Sequence, residues 1–412
     1  MVGPFLPDAE KLAAVREALP ALAAGIYLNT GSVGPLPAET AAAMAELEAY
    51  ERDIGRAHPD YFEEFVARMA EARAGVAAVL GADVGSVALM HSTTDGMNAA
   101  TQLPDWRAGG RAVTTAHEHA GGLGPLYALR DRGGVDLVLV EAGDDGDDDR
   151  TIAAFERAIT PDTRLVSISH VLWTTGAVMP LARIAQIAHD RGALVVADGA
   201  QAAGAIPTRL DELGADLYGV PSQKWLLGPE GMGALVVAPG IVERSVPAIA
   251  GWYSFEQANV PGTANWWRDA RRFESSGWHR PSVVGMARSI GWLSMYIGLE
   301  FVYRRGTELA ARTADRLASI PGVTVLTPRD RMATLVTFRI AGWGAQAALD
   351  ELSGRVFVVA RTIPSLDALR LSVGFFNTEE ELDRLADAVA LLAVYTPDNL
   401  PPRRVLTILE GD

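Results

Sequence analysis

Of the 36 basic residues in the chain, two are lysines, Lys11 and Lys224, and the rest are arginines. A GC-rich coding bias accounts for the surplus of arginine. It does not account for a lysine at position 224, inside a loop rich in glycine and proline. Arginine keeps its charge permanently, so chemistry that needs a deprotonatable amine cannot use it. Lys224 is therefore a candidate for covalent work. Twenty-six residues upstream, the apolar run LVVAD ends in Asp198. An amine and a carboxylate at neighbouring strand ends suit one kind of cofactor, an aldehyde-bearing pyridine. The lysine forms a Schiff base with the aldehyde. The aspartate keeps the ring nitrogen protonated, which makes the ring an electron sink. Once a substrate amine has displaced it, the lysine can act as the base that moves the Cα proton. Taken singly, Asp198 could be a helix cap and Lys224 a surface residue; the pair in this setting points to pyridoxal 5'-phosphate.

The elements that must position the pair are legible around it. Between residues 85 and 240, short apolar runs alternate with helical periodicity. The spacing predicts strands at Val87–Met90, Arg111–Thr115, Val135–Val140, Arg164–Ser169, Leu194–Asp198, Leu217–Val220 and Ala234–Val237. Helices are expected at Gly96–Gln102, Ile152–Ile159 and Leu181–Arg191, among others. Strands separated by helices imply a mainly parallel sheet with helices on both faces, and ligands of such sheets sit beyond the strands' carboxyl ends. The segment 251–283 breaks the pattern. It carries four of the nine tryptophans and reads as an irregular excursion, equally a packed loop or contact surface and an active-site wall. A long helical stretch over Val283–Ser319 follows. Strands at Val323–Leu326, Ala333–Ile340, Val356–Arg361 and Leu369–Val373, with helices at Ala345–Leu352 and Glu379–Leu392, then make a smaller α+β domain, completed by an N-terminal helix over Ala9–Ala24. The expected division is 25–290 for the large domain, with 1–24 and 291–412 forming the small one.

Composition narrows the function. The 412 residues are 49% hydrophobic and 21% charged, enough for a large core. The net charge of −15 is the wrong sign for binding nucleic acid or an anionic membrane. No cysteine is present, so disulfides, thiolate metal sites and a cysteine nucleophile are excluded. No secretory signal or membrane span is visible, and the chain reads as cytoplasmic. The acidic run 143–150 precedes a helix, where aspartates cap the amino end and oppose the dipole; a metal site is not expected there. A nicotinamide-dependent dehydrogenase would share the parallel sheet but needs a GxGxxG after an early strand, which is missing.

Over nearly its whole length the chain resembles the class V, fold-type I pyridoxal-phosphate enzymes, a group that includes cysteine desulfurases, isopenicillin-N-epimerase-like proteins and several aminotransferases. The motifs are YLNTGSVGPLP (27–37), HSTTDGMN (91–98), AHEHAG (116–121), SHVLWTTG (169–176), DGAQ (198–201), SQKW (222–225) and LRLSVGFFNTEEELDRL (369–385). The resemblance implies that Thr93 and Thr94 hold the cofactor phosphate and that His119 stacks on the pyridine ring. It places Asp198 on the ring nitrogen, Gln201 near the phenolic oxygen and Lys224 in the Schiff base. Gln223 stands where a phosphate-binding histidine is usual, and Ser222 is expected to replace a phosphate-binding serine displaced by Pro221. Arg370 is expected to grip the substrate carboxylate, with Arg361 and Asn29 also on the substrate. A homodimer with active sites at the subunit interface is implied as well.

Departures from the pattern shape the expected activity. The desulfurases carry a cysteine on a loop between the two C-terminal arginine motifs; here that loop is missing and no cysteine exists, so persulfide formation on the protein is excluded. Trp173 replaces a common asparagine, and Ser276-Gly277 replaces the Gly-Thr that reaches the partner's phosphate. The expected function is deprotonation of an α-amino acid at Cα through Lys224, as an aminotransferase, with a C–S lyase or an epimerase as the alternatives and a non-catalytic scaffold as a remote one.

Overall fold

A computed structural model describes residues 7–275 and 277–402. The chain starts with α1 (Asp8–Glu17), a 3-10 turn at Pro20–Ala24 and β1 (Ile26–Tyr27), followed by α2 (Ala38–Asp53) and α3 (Pro59–Leu80). The central part runs β2 (Val87–Met90), α4 (Thr93–Thr101), β3 (Arg111–Thr115), α5 (Ala120–Gly133), β4 (Asp136–Val140), α6 (Asp148–Ala158), β5 (Thr163–Ser169), α7 (Leu181–Asp190), β6 (Leu194–Asp198), α8 (Leu210–Leu213), β7 (Leu217–Pro221), β8 (Gly233–Val237) and α9 (Pro239–Arg244). Its strands form one seven-stranded sheet in the order β2-β8-β7-β6-β5-β3-β4, parallel except where β8 runs against β2 and β7.

Helices cover both faces, as the near-continuous apolar strands require. One face packs Phe65, Met69, Phe155, Ile184 and Met286 from α3, α6, α7 and the later helix α10 (Arg280–Gly291). The other packs Met97 of α4 and Leu126 and Leu129 of α5 against Leu165, Val196 and Leu235. A buried ion pair locks the first face: Arg73 donates Nε and Nη2 to Glu274 at 2.8 and 2.6 Å, and the Leu89 N–H donates to the same carboxylate at 2.9 Å. Asp147 caps α6 by accepting from the Arg150 N–H at 2.9 Å, the role expected for the acidic run.

The smaller sheet comprises β11 (Val323–Val325), β12 (Leu335–Ile340), β14 (Arg361–Ile363) and β15 (Ala368–Ser372), in the order β11-β12-β15-β14 and antiparallel. It is backed by α11 (Leu299–Ala318), α12 (Ala345–Val356) and α13 (Glu379–Val394), which bury Leu309, Leu317, Leu385 and Val389 against Phe338 and Leu371. A two-residue strand, β13 (Val358–Val359), pairs with β1.

Four expectations need correction. The N-terminal helix ends at Glu17, and a separate 3-10 turn begins at Pro20. The stretch 251–283 holds a short antiparallel hairpin, β9 (Phe255–Val260) and β10 (Thr263–Trp266). The helix expected over Val283–Ser319 is two helices: α10 passes into a π turn at Trp292–Ile297 and stops at Gly298, whose φ of +89° no helix accommodates. The strand expected over Val356–Arg361 is divided, because Phe357 caps α12 with φ +55° and only 358–359 and 361–363 extend.

Candidate active site

Five segments leave the large sheet at one place. Ser92–Thr94 follow β2, His119 follows β3, Ser169 and Trp173 end and follow β5, Asp198 ends β6, and Pro221–Lys224 end and follow β7. Ser169, Asp198 and Gly219 are neighbours across three strands. Arg361 on β14 and Arg370 on β15 approach from the small sheet, and Gly31 and Ser32 from the N-terminal segment. These residues surround a cavity of about 250 Å³, with Gln201 and Gln223 completing the wall. Gly34 lets the N-terminal segment lie on the lysine loop: its N–H donates to the Gln223 carbonyl at 2.7 Å, and a side chain there would strike the Lys224 carbonyl.

The cavity is electropositive. Burial brings Lys224 down to about 8, opposed by Asp198 and assisted by Arg370 and Arg361; about one-tenth of such an amine is unprotonated at pH 7, far more than of an ordinary lysine. Arg370 is fully buried and donates Nη1 to the Trp173 carbonyl at 2.8 Å, while its Nε and Nη2 have no partner. Burial and the neighbouring Arg361 lower it to about 9. Burial also lowers His119, and the Lys224 charge adds to the effect. His119 Nδ1 accepts from the Gly121 N–H at 3.0 Å, capping α5, and its ring meets Trp173 edge-on with centroids 5.3 Å apart. Asp198 Oδ1 accepts from the Ala200 N–H at 2.8 Å.

Most of the residues expected at the site do converge there: Thr93, Thr94, His119, Asp198, Gln201, Gln223, Lys224, Arg361 and Arg370 all line the cavity. Two do not. Ser222, expected on the phosphate, points the other way and packs against Gly228. It lies in the bend that follows β7, between the wall residues Pro221 and Gln223, and is not itself among the lining residues. Asn29, expected on substrate, sits behind the wall, where its Oδ1 accepts from Ser32 Oγ at 2.8 Å. Gln201 donates Nε2 to the Gly31 carbonyl at 2.8 Å and accepts from Trp225 Nε1 at 3.0 Å, leaving one N–H for the cavity. His170 is a core residue paired with the Tyr218 hydroxyl at 2.8 Å. Trp252, Trp266, Trp267 and Trp278 are not among the lining residues; Trp173 is. Ser276 lies outside the described residues.

Sequence reasoning missed Glu118. This carboxylate is buried beside the cavity, accepting from Thr115 Oγ1 at 2.7 Å and from the Ser169 hydroxyl. Burial raises it to about 7 against those hydrogen bonds, with Asp198 adding to the rise. Nothing about an unpaired Glu in AHEHAG marks it beforehand, because the burial comes from β5 and β6, far along the chain.

The wall suits pyridoxal phosphate. Thr93 Oγ1 is buried without a partner at the amino end of α4, where free N–H groups favour an anion. An amine, a buried carboxylate and an imidazole share the same enclosure. Fold and site together define a fold-type I pyridoxal-phosphate enzyme. The chain belongs to the family described as Aminotransferase class-V, whose model matches residues 26–385. It is 32% identical over 390 residues to an isopenicillin N epimerase of Streptomyces clavuligerus, covering 89% of this chain and 94% of that one. With a probable cysteine desulfurase of Methanothermobacter thermautotrophicus it shares 26% identity over 397 residues, or 92% and 97% of the two chains. Among solved structures, the cystine C–S lyase C-DES, in complex with its product cysteine persulfide, matches with TM-score 0.84 at 25% identity, over 90% of this chain and 99% of that one.

Proposed function

We propose that the protein is an aminotransferase acting on a free α-amino acid. The observation that carries this is the proton inventory of the cavity. Lys224 is the amine, lowered to about 8, and His119 is engaged as the α5 cap, with Nδ1 accepting a hydrogen bond. One mobile base suffices for transamination, whereas inversion at Cα by two bases needs a second group on the opposite side.

Thr93, Thr94 and Gln223 would hold the cofactor phosphate, Asp198 the ring nitrogen and His119 the ring face. When bound, pyridoxal phosphate supplies an electrophilic aldehyde carbon for an amine and an electron-poor ring that stabilises negative charge at Cα. Arg370 receives the substrate carboxylate on its unpartnered Nε and Nη2, in the bidentate manner of a guanidinium. Lys224 Nζ would take the Cα proton and not return it there; with the bound cofactor keeping the amino nitrogen and water supplying the oxygen, the carbon skeleton would leave as a 2-oxo acid. Since the chain has no cysteine, none of its own side chains can accept sulfur as a persulfide.

The name of the Streptomyces relative favours a second reading, epimerisation, in which a proton exchanged with solvent returns to Cα from the other face. Incubation with amino acids in deuterated water separates the two. The transaminase reading expects stoichiometric 2-oxo acid and amino transfer to an added oxo acid. Deuterium uptake with racemisation and no oxo acid would establish epimerisation instead, and release of pyruvate with sulfide from cystine would establish a lyase. A cytoplasmic homodimer is part of the proposal.

A further inference from the structure

Arg361 and Arg370 face each other as register partners on the antiparallel strands β14 and β15. Directly opposed residues project to one face with their Cβ atoms roughly 5 Å apart, and like charges placed there repel. Both line the cavity, whose one carboxylate among the lining residues is Asp198. The two guanidiniums lie at different depths. Arg370 is fully buried, whereas Arg361 is half-buried. The polar contacts of Arg361 are weak, to Ser32 Oγ at 3.3 Å and the Thr362 carbonyl at 3.4 Å. Its guanidinium lies 5.3 Å from the centre of the Trp173 ring, which holds it by a cation–π contact. Trp173 Nε1 is buried and also lacks a partner.

One α-carboxylate satisfies the two free nitrogens of Arg370 and neutralises one charge. The cofactor phosphate belongs to the amino end of α4, on the other sheet. Arg361 then remains a half-buried cation with no carboxylate left for it among the cavity's lining residues, open to a second anion. Resting on the reading that Arg370 takes the α-carboxylate, we propose that Arg361 and Trp173 form a subsite for a second anionic group, so that the substrate is an α-amino acid with an acidic side chain. Trp173 steadies the Arg361 guanidinium through that cation–π contact, and a planar fork suits a carboxylate.

Calorimetry on the holoenzyme tests this with glutarate, a dianion without an amine, and pentanoate, a monoanion of the same length. Hydrogen bonds to charged groups predict glutarate binding at least about 10-fold tighter, and Arg361→Gln should reduce the preference to about twofold or less. Arg361→Lys, which keeps the charge without the fork, should retain part of it. In parallel, the cofactor's absorbance change gives apparent affinities for glutamate and glutamine, and their ratio should collapse in Arg361→Gln. Equal binding of glutarate and pentanoate by the unaltered enzyme overturns the inference. So does an Arg361→Gln variant that weakens every ligand alike, which would put one carboxylate on both arginines, or one that loses cofactor, which would put Arg361 on the phosphate. In those cases a response of the cofactor to amino acids would leave the aminotransferase reading standing. No response to any amino acid overturns both.

Discussion

Glu118 gives the sharpest quantitative test, because its environment fixes both a sign and a size. The carboxyl titrates near 4.5 in unfolded chain and near 7 in the folded protein, chiefly through burial. Below pH 4.5 both states carry the proton and the group's ionisation has no effect. Between the two values only the unfolded state gives the proton up, so stability falls by about 1.4 kcal/mol per pH unit. Above pH 7 the full penalty, about 3 kcal/mol, has been incurred. Glu118→Gln cannot ionise and keeps groups able to bond Thr115 and Ser169. Relative to the parent, the variant should therefore be close to neutral at pH 5 and stabilised by about 3 kcal/mol at pH 8. For a chain of 412 residues, that corresponds to a midpoint difference of about 3 °C. Thermal denaturation of both holoenzymes at pH 5, 6, 7 and 8 reads it directly. A difference that stays constant over the range would show that Glu118 titrates as an ordinary carboxyl, and the account of its burial beside Asp198 would be wrong.

Lys224, at about 8, should make recombination of the cofactor-free protein with pyridoxal phosphate accelerate with pH and level off just above 8; continued acceleration past pH 10 would mean an unperturbed amine. Arg370→Lys exchanges two charge-assisted bonds for one, so kcat/KM should drop roughly 10- to 150-fold for amino acids and far less for the corresponding amines lacking a carboxylate. Glu274→Gln leaves the Arg73 guanidinium buried and unpaired, and about 3–5 kcal/mol of stability should be lost in chemical denaturation. Gly199→Ala would drive a methyl group into the Tyr218 ring, so reduced yield or a midpoint lowered by several degrees is expected, with Gly240→Ala, where an added methyl meets nothing within 4 Å, as the control.

The large sheet was legible because its strands are apolar on both faces and separated by helices, so that seven short runs could be delimited within a residue or two. The same periodicity misled at 283–319, where α10 and α11 are each amphipathic and only the positive φ of Gly298 separates them. Apolar periodicity cannot register that break, since a lone glycine in a helical pattern is tolerated. The hairpin at 255–266 was hidden because it is largely exposed and lacks alternation. At the site, Lys224 and Asp198 were readable from their types and positions and Arg370 from the resemblance of its motif, and all three line the cavity. Ser222 was misplaced because motif spacing does not say which way a side chain points in the bend after β7. Glu118 was passed over because its character is conferred by neighbours fifty and more residues away, and sequence adjacency carries no trace of that.

Lys224 and Arg370 ride on different sheets, and the segment from Ile26 to Gly34 is tied to both: β1 pairs with β13, Asn29 bridges to Ser372, and Gly34 bonds the Gln223 carbonyl. This strap sets the gauge between the two halves of the pocket. Anyone grafting the arginine-bearing sheet of a relative onto this chain, to change which amino acid is accepted, would have to transplant the strap along with it. A chimaera that kept the native strap would hold its new arginines at the old spacing and turn over neither parent's substrate well.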